Sequence, residues 1–210
     1  MSVFACLVGL LLAGTGPAQA EWRRAESPNF VLYGTISEAR LRERILLLED
    51  FDRLMRLVTN VSVPPAPNKL HVYIVEGPED LRKVHAVPAG IAGFYTATPD
   101  GIAAVVDARS EMGNEVLFHE YAHHFMMQYA ANAYPAWYVE GFAEYFMTVR
   151  FTPRKIDVGN FSQGRVYSLT EAPWLPTEQV LYGNPQSMTG QAMDAFYAQS
   201  WLVVHWFFST

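Results

Sequence analysis

The chain has 210 residues, half of them hydrophobic, enough for one domain with a sizeable core. Its 15 Lys plus Arg against 21 Asp plus Glu leave a net charge of −6, and no basic stripe appears. That balance excludes a nucleic-acid footprint, which needs a clustered positive face.

The first twenty residues, MSVFACLVGLLLAGTGPAQA, carry no charge and hold an apolar run from 3 to 12, followed by Gly, Pro and Ala18-Gln19-Ala20. This is the pattern of a secretory signal peptide cut after Ala20. The Lys or Arg of a usual n-region is missing, so the true start is expected upstream. The run is too short for a membrane span, which needs about 20 apolar residues. Cys6 would leave with the signal, and the mature chain from 21 to 210 would have no thiol chemistry. An exported chain without disulfides suits a bacterial periplasm or the extracellular space.

SPNFVLYG, 27 to 34, reads as a short strand. Ser37 then caps a helix with Leu41, Ile45, Leu48, Phe51, Leu54, Met55 and Val58 at helical spacing and a charged, solvated opposite face. The Pro-rich connector VSVPPAPN leads into KLHVYIVE, whose alternation marks a strand; His71 there has no partner at ligand spacing. PEDLRKVHA reads as a short helix started by Pro78. The segment 91 to 108 divides at TPDG into a hairpin. Helices follow over about 112 to 131, 135 to 149 and 190 to 208, with a loop-rich segment from 152 to 190. The order predicts an α+β fold: a small mixed sheet with helices, then a mainly helical lobe. The sequence stops inside an apolar helix, so that lobe is expected to continue or to be covered.

Within NEVLFHEYAHHFMMQY, His119 and His123 lie four apart, about 40° from each other on a helix, and project from neighbouring turns of one face. Two imidazoles so placed can grip one divalent ion. Glu120 sits beside them, suited to act as a base without being a ligand. His124 points about 100° from His123 and is not expected to bind. A catalytic tetrahedral site takes three protein ligands. PAWYVEGFAEYF, 135 to 146, supplies two carboxylates on one helix face, Glu140 and Glu144, among aromatic neighbours. Buried together they would repel unless a cation compensates. Gly141 would admit a close helix contact.

HEYAH followed by WYVEGFAEY resembles the gluzincin metallopeptidases, HExxH enzymes whose third zinc ligand is a glutamate from a following helix. It is similar in particular to a bacterial peptidase-like branch with a WxxEGxAEY motif. The resemblance implies a zincin-like fold over 21 to 210, with His119, His123 and Glu140 as Zn²⁺ ligands and Glu120 as general base. Sixteen residues separate His123 from Glu140. By the same resemblance Glu144 receives the spare N–H of the first histidine, and Tyr197, in FYAQSWLVVHWF, is the donor to the developing oxyanion. His205 in that segment is a packing residue. One run of the hairpin would be the sheet edge that receives an extended peptide. The aminopeptidase relatives carry a G-x-M-E-N stretch, whereas GFYTATPDG has no glutamate, which favours an endopeptidase or another amide hydrolase. The implied partner is a peptide or protein substrate. The alternative from another class is a scaffold or binding protein that retains a zinc site, and a third reading is a metal-free helical protein with satisfied core histidines.

Overall fold

The alternating run LHVYIV forms the central strand of a five-stranded mixed sheet. The computed structural model describes residues 21–65, 67–84, 93–98, 101–109, 113–130 and 132–209. The expected signal segment with Cys6, and the hairpin tip at 99 and 100, lie outside them.

Strand β1 (Arg23–Glu26) is antiparallel to β2 (Phe30–Gly34), which runs parallel to β3 (Leu70–Val75). β3 is parallel in turn to β5 (Gly101–Asp107), and β5 is antiparallel to β4 (Gly93–Thr98). The order is β1-β2-β3-β5-β4. Both runs of the expected hairpin are therefore strands, and β4 is the one at the sheet edge. The strand expected over 27 to 34 is β2 alone. The charged RRAE of β1 shows no apolar alternation and becomes a strand by pairing along β2, where Glu26 bonds Lys69 at 2.6 Å.

Helix α1 (Glu38–Thr59) starts where Ser37 Oγ accepts the Arg40 N–H at 3.4 Å, and it stops at Asn60 in the left-handed region (φ 56°). Its apolar stripe from Leu41 to Met55 is buried against one face of the sheet with Phe30, Leu32, Leu70, Val72 and Ile74. Val58 lies outside the core, 42% exposed. On the charged side, Glu38, Arg42, Asp50 and Arg53 are solvated as expected, but Asp52 and Arg56 turn inward. Short α2 (Pro78–Val84) puts Leu81 against Val75 and Val105 on the opposite sheet face.

Helix α3 (Gly113–Tyr129) shares the α1 side of the sheet: Phe51 stacks on Phe118 with ring centroids 4.2 Å apart. Helix α4 (Ala136–Met147) follows Pro135 and packs on α3, and α7 (Gln191–Ser209) packs on α4. Gly141 permits the second contact, since a Cβ there would overlap the Ser200 carbonyl of α7. The segment expected to be loop-rich, 152 to 190, contains the two-residue strand β7 (Ile156–Asp157), paired with β6 (Arg150–Phe151) just before it, and helices α5 (Gln163–Thr170) and α6 (Thr177–Tyr182). These elements are too short for periodicity to betray them. Buried Gln199 of α7 pins the chain between α5 and α6, accepting from Leu175 N at 2.8 Å and donating to its carbonyl at 3.1 Å. The fold is α+β, a mixed sheet with helices followed by a mainly helical region.

Candidate metal centre

Helix α3 is apolar around most of its circumference because it is covered on several sides. Leu117, Phe118, Tyr121, Ala122, Phe125 and Met126 are all buried. The stripe left toward α4 carries His119 and His123, with side chains 14% and 15% exposed. Their Nε2 atoms face each other at 3.1 Å. From α4, Glu140 Oε2 reaches 3.4 Å from each of them. Three donor atoms on two helices thus converge on one point, a group that can hold a metal ion.

The spacing has a physical reading. Ligands held about 2.0–2.1 Å from a tetrahedral ion lie about 3.3–3.4 Å from one another, close to the 3.1, 3.4 and 3.4 Å found here. Glu140 Oε2 is buried and, despite the two nearby nitrogens, has no aligned hydrogen bond. A buried charged oxygen without an aligned hydrogen bond is costly, and a cation would offset that cost. Imidazole and carboxylate suit a divalent ion such as zinc.

Burial pushes the Glu140 carboxyl up, but the two imidazoles facing it pull it down further, to about 2. Burial pulls His119 down, and Glu140, Glu144 and Glu120 together hold it above its ordinary value.

Behind His119, Glu144 is 1% exposed and its Oε1 lies 3.5 Å from His119 Nδ1. Arg165 of α5 grips both Glu144 oxygens, through Nε at 2.7 Å and Nη2 at 2.8 Å. Sequence reasoning assigned the charge of both carboxylates to the ion. In the fold Glu140 faces the ion site while Glu144 has its own arginine. No spacing rule pointed to Arg165, which stands 21 positions beyond Glu144 in a segment without periodicity. The one signal was the need of a second buried carboxylate for a counter-charge.

Tyr197 of α7 is half-buried, its ring 6.2 Å from that of His119 and 5.0 Å from the Arg165 guanidinium. Burial raises its pKa, and Glu140 and Glu144 raise it further, so the hydroxyl keeps its proton. Glu120 is half-buried, and its charge acts on both His119 and Tyr197.

The other histidines among the described residues stand apart. His124 turns to the edge strand, with Nδ1 3.2 Å from the Tyr95 hydroxyl. Burial lowers its pKa to about 4, so the ring that pairs with that hydroxyl is neutral. His71 lies beside Tyr33, and His205 stacks on Trp201 at 4.8 Å.

Two clefts adjoin the ligand group. One of about 380 Å³ runs past Glu140 and Tyr197 to Asn184, Gln186 and Met193. The other, about 310 Å³, runs past His123 to Met126, Met127 and Asn132. Tyr134 and Val139 line both.

The helix that carries the histidines is fixed from its far side. The Tyr121 hydroxyl donates to Asp52 Oδ1 at 2.6 Å, and Arg56 Nε donates to Asp52 Oδ2 at 2.8 Å. Asn29 joins the same carboxylate at 3.3 Å and Glu49 at 2.7 Å. This network ties α1, α3 and the β1–β2 turn together and keeps the imidazoles aimed at α4.

No family model, curated protein or solved structure matches this chain.

Proposed function

We propose that this protein is an exported, zinc-dependent metallopeptidase of the gluzincin type. The observation that carries the reading is the convergence of His119 Nε2, His123 Nε2 and the partnerless Glu140 Oε2 within 3.4 Å, with Glu120 one position from the first ligand. When bound, zinc would supply Lewis acidity toward a carbonyl and lower the pKa of water.

The chain's own groups account for the remaining chemistry. His119, His123 and Glu140 bind the ion, and Glu144 accepts the Nδ1–H of His119, leaving Nε2 free to ligate. The Glu120 carboxylate takes a proton from the attacking water and passes it to the leaving nitrogen. The Tyr197 hydroxyl, kept protonated by its surroundings, donates to the carbonyl oxygen as negative charge develops there. Edge strand β4, next to α3, offers backbone groups to an extended peptide. The absence of a glutamate from GFYTATPDG favours cleavage within a chain over removal of a terminal residue. The leader-like first twenty residues support export to a periplasm or the extracellular space. No helix among the described residues is long and apolar enough to cross a membrane.

The deciding experiment is a peptide-library digest by wild type and Glu120→Gln, with zinc content measured on both. The expected result is cleavage by wild type only, with equal zinc. Equal turnover by the two proteins would remove Glu120 from the mechanism.

A further inference from the structure

The geometry points to Arg165 as a positioning residue for the metal centre, holding Glu144 against His119 and the Tyr197 ring in place through one guanidinium. The inference rests on the reading that His119, His123 and Glu140 bind zinc.

Arg165 is rooted in the first turn of α5, where its N–H donates to the capping Ser162 Oγ at 3.3 Å. From there it reaches three groups on two other helices. Nε and Nη2 form a two-pronged bond to Glu144 of α4 at 2.7 and 2.8 Å. Nη1 lies 3.6 Å from Asp194 Oδ1 of α7. The guanidinium carbon stands 5.0 Å from the centre of the Tyr197 ring, three residues further along α7. The side chain is 20% exposed, and Glu144 beneath it is 1% exposed.

A planar guanidinium is suited to all of these contacts together. Its fork matches both carboxylate oxygens while its charge stands over an aromatic ring; a lysine ammonium can supply the charge but not the fork. Glu144 Oε1, held by the fork, is also the oxygen 3.5 Å from His119 Nδ1. Without Arg165, Glu144 is a buried carboxylate with no counter-charge of its own. Its side chain is then free to turn away, and His119 loses the carboxylate that stands 3.5 Å from its Nδ1. Partners of this kind behind a ligating histidine typically contribute about 10- to 100-fold in metal affinity. Tyr197 loses the cation beneath its ring in the same step, so the defect extends to turnover as well as to metal binding.

The test uses the full chain as wild type, Arg165→Gln and Arg165→Lys. Zinc affinity is measured by competition with a chromogenic chelator, ligand geometry by the visible spectrum of the Co²⁺-loaded protein, and folding by far-ultraviolet circular dichroism. Arg165→Gln is expected to weaken zinc binding by about 10- to 100-fold and to alter the Co²⁺ bands, with Arg165→Lys in between. Where wild type cleaves a peptide, kcat should fall more than KM rises. A folded Arg165→Gln protein with wild-type zinc affinity and an unchanged Co²⁺ spectrum would overturn the inference. If Arg165→Gln does not fold, Arg165→Lys decides alone by the same two metal readouts. A wild type that binds zinc but cleaves nothing contradicts the peptidase reading and leaves the Arg165 comparison decisive. A wild type that binds neither zinc nor Co²⁺ sinks the metal reading and this inference with it, a result distinct from equal binding by wild type and variant.

Discussion

Tyr121 and Asp52, 69 positions apart in sequence, meet through a 2.6 Å hydrogen bond in the interior. Tyr121 lies one residue beyond Glu120 and two before His123, so this bond fixes the rotation of α3 about its axis. Its loss leaves Asp52, 4% exposed, with one partner fewer. Tyr121→Phe should lower stability by about 1.5–3 kcal/mol, the range for buried bonds to charged acceptors. Urea denaturation of wild type and variant measures it, and an unchanged midpoint would show that the network does not anchor the helix.

Gly141 sets the distance between α4 and α7. Alanine would gain about 1 kcal/mol in helix propensity, but its Cβ would overlap the backbone of Ser200 and lie 2.7 Å from Val204 Cγ2. Backbone cannot rotate away, so overpacking outweighs propensity. Gly141→Ala should be net destabilising by about 1–2 kcal/mol; a stabilised variant would contradict the close approach.

Zinc should raise the thermal midpoint of wild type, by about 2.7 kcal/mol of added stability at a hundredfold excess over Kd. Glu140→Ala removes the third donor and should abolish most of that shift while leaving the metal-free protein folded. Scanning calorimetry with and without chelator reads both. An equal zinc shift in the variant would place the ion elsewhere.

His124 makes stability depend on pH. Its folded pKa, near 4, lies below the ordinary value of 6.5, so the unfolded chain binds the proton more readily. The stability associated with the neutral ring is complete above pH 6.5 and is lost as pH falls toward 4, by about 3 kcal/mol at most. The difference in unfolding free energy between metal-free wild type and His124→Gln, followed from pH 7.5 to 4, should shrink over that window. A difference independent of pH would mean that His124 titrates normally.

Tyr197→Phe keeps the ring over Arg165 and removes only the hydroxyl. Under the proposed mechanism this removes the oxyanion donor and should lower kcat by about 10²–10³-fold, while zinc affinity should stay within a factor of two or three. Unchanged kcat would return Tyr197 to the role of a packing aromatic.

Much of the site was legible because helical geometry is local. Four-residue spacing puts His119 beside His123, and the WYVEGFAEY helix supplies a carboxylate, whatever the rest of the chain does. Strand β3 and helix α1 were legible from their apolar periods of two and 3.6, and β4 and β5 from the TPDG turn between them. Strand β1 was not, because its residues are charged and only pairing makes it a strand. Helices α5 and α6 are too short to show a period. Asp52 looked like one more charge on a solvated helix face until the fold turned it toward Tyr121.

The sequence by itself determined which residues could bind a metal and on which elements they stand, because ligand spacing within a helix follows from 3.6 residues per turn. Motif resemblance gives Glu140 to the ion and Glu144 to the back of His119, but only the tertiary structure decided how the counter-charges divide: Glu140 faces the two imidazoles, and Glu144, beside His119 Nδ1, is held by Arg165. That division depends on where α5 and α7 pack, and contacts between distant segments follow no period that a linear sequence can display.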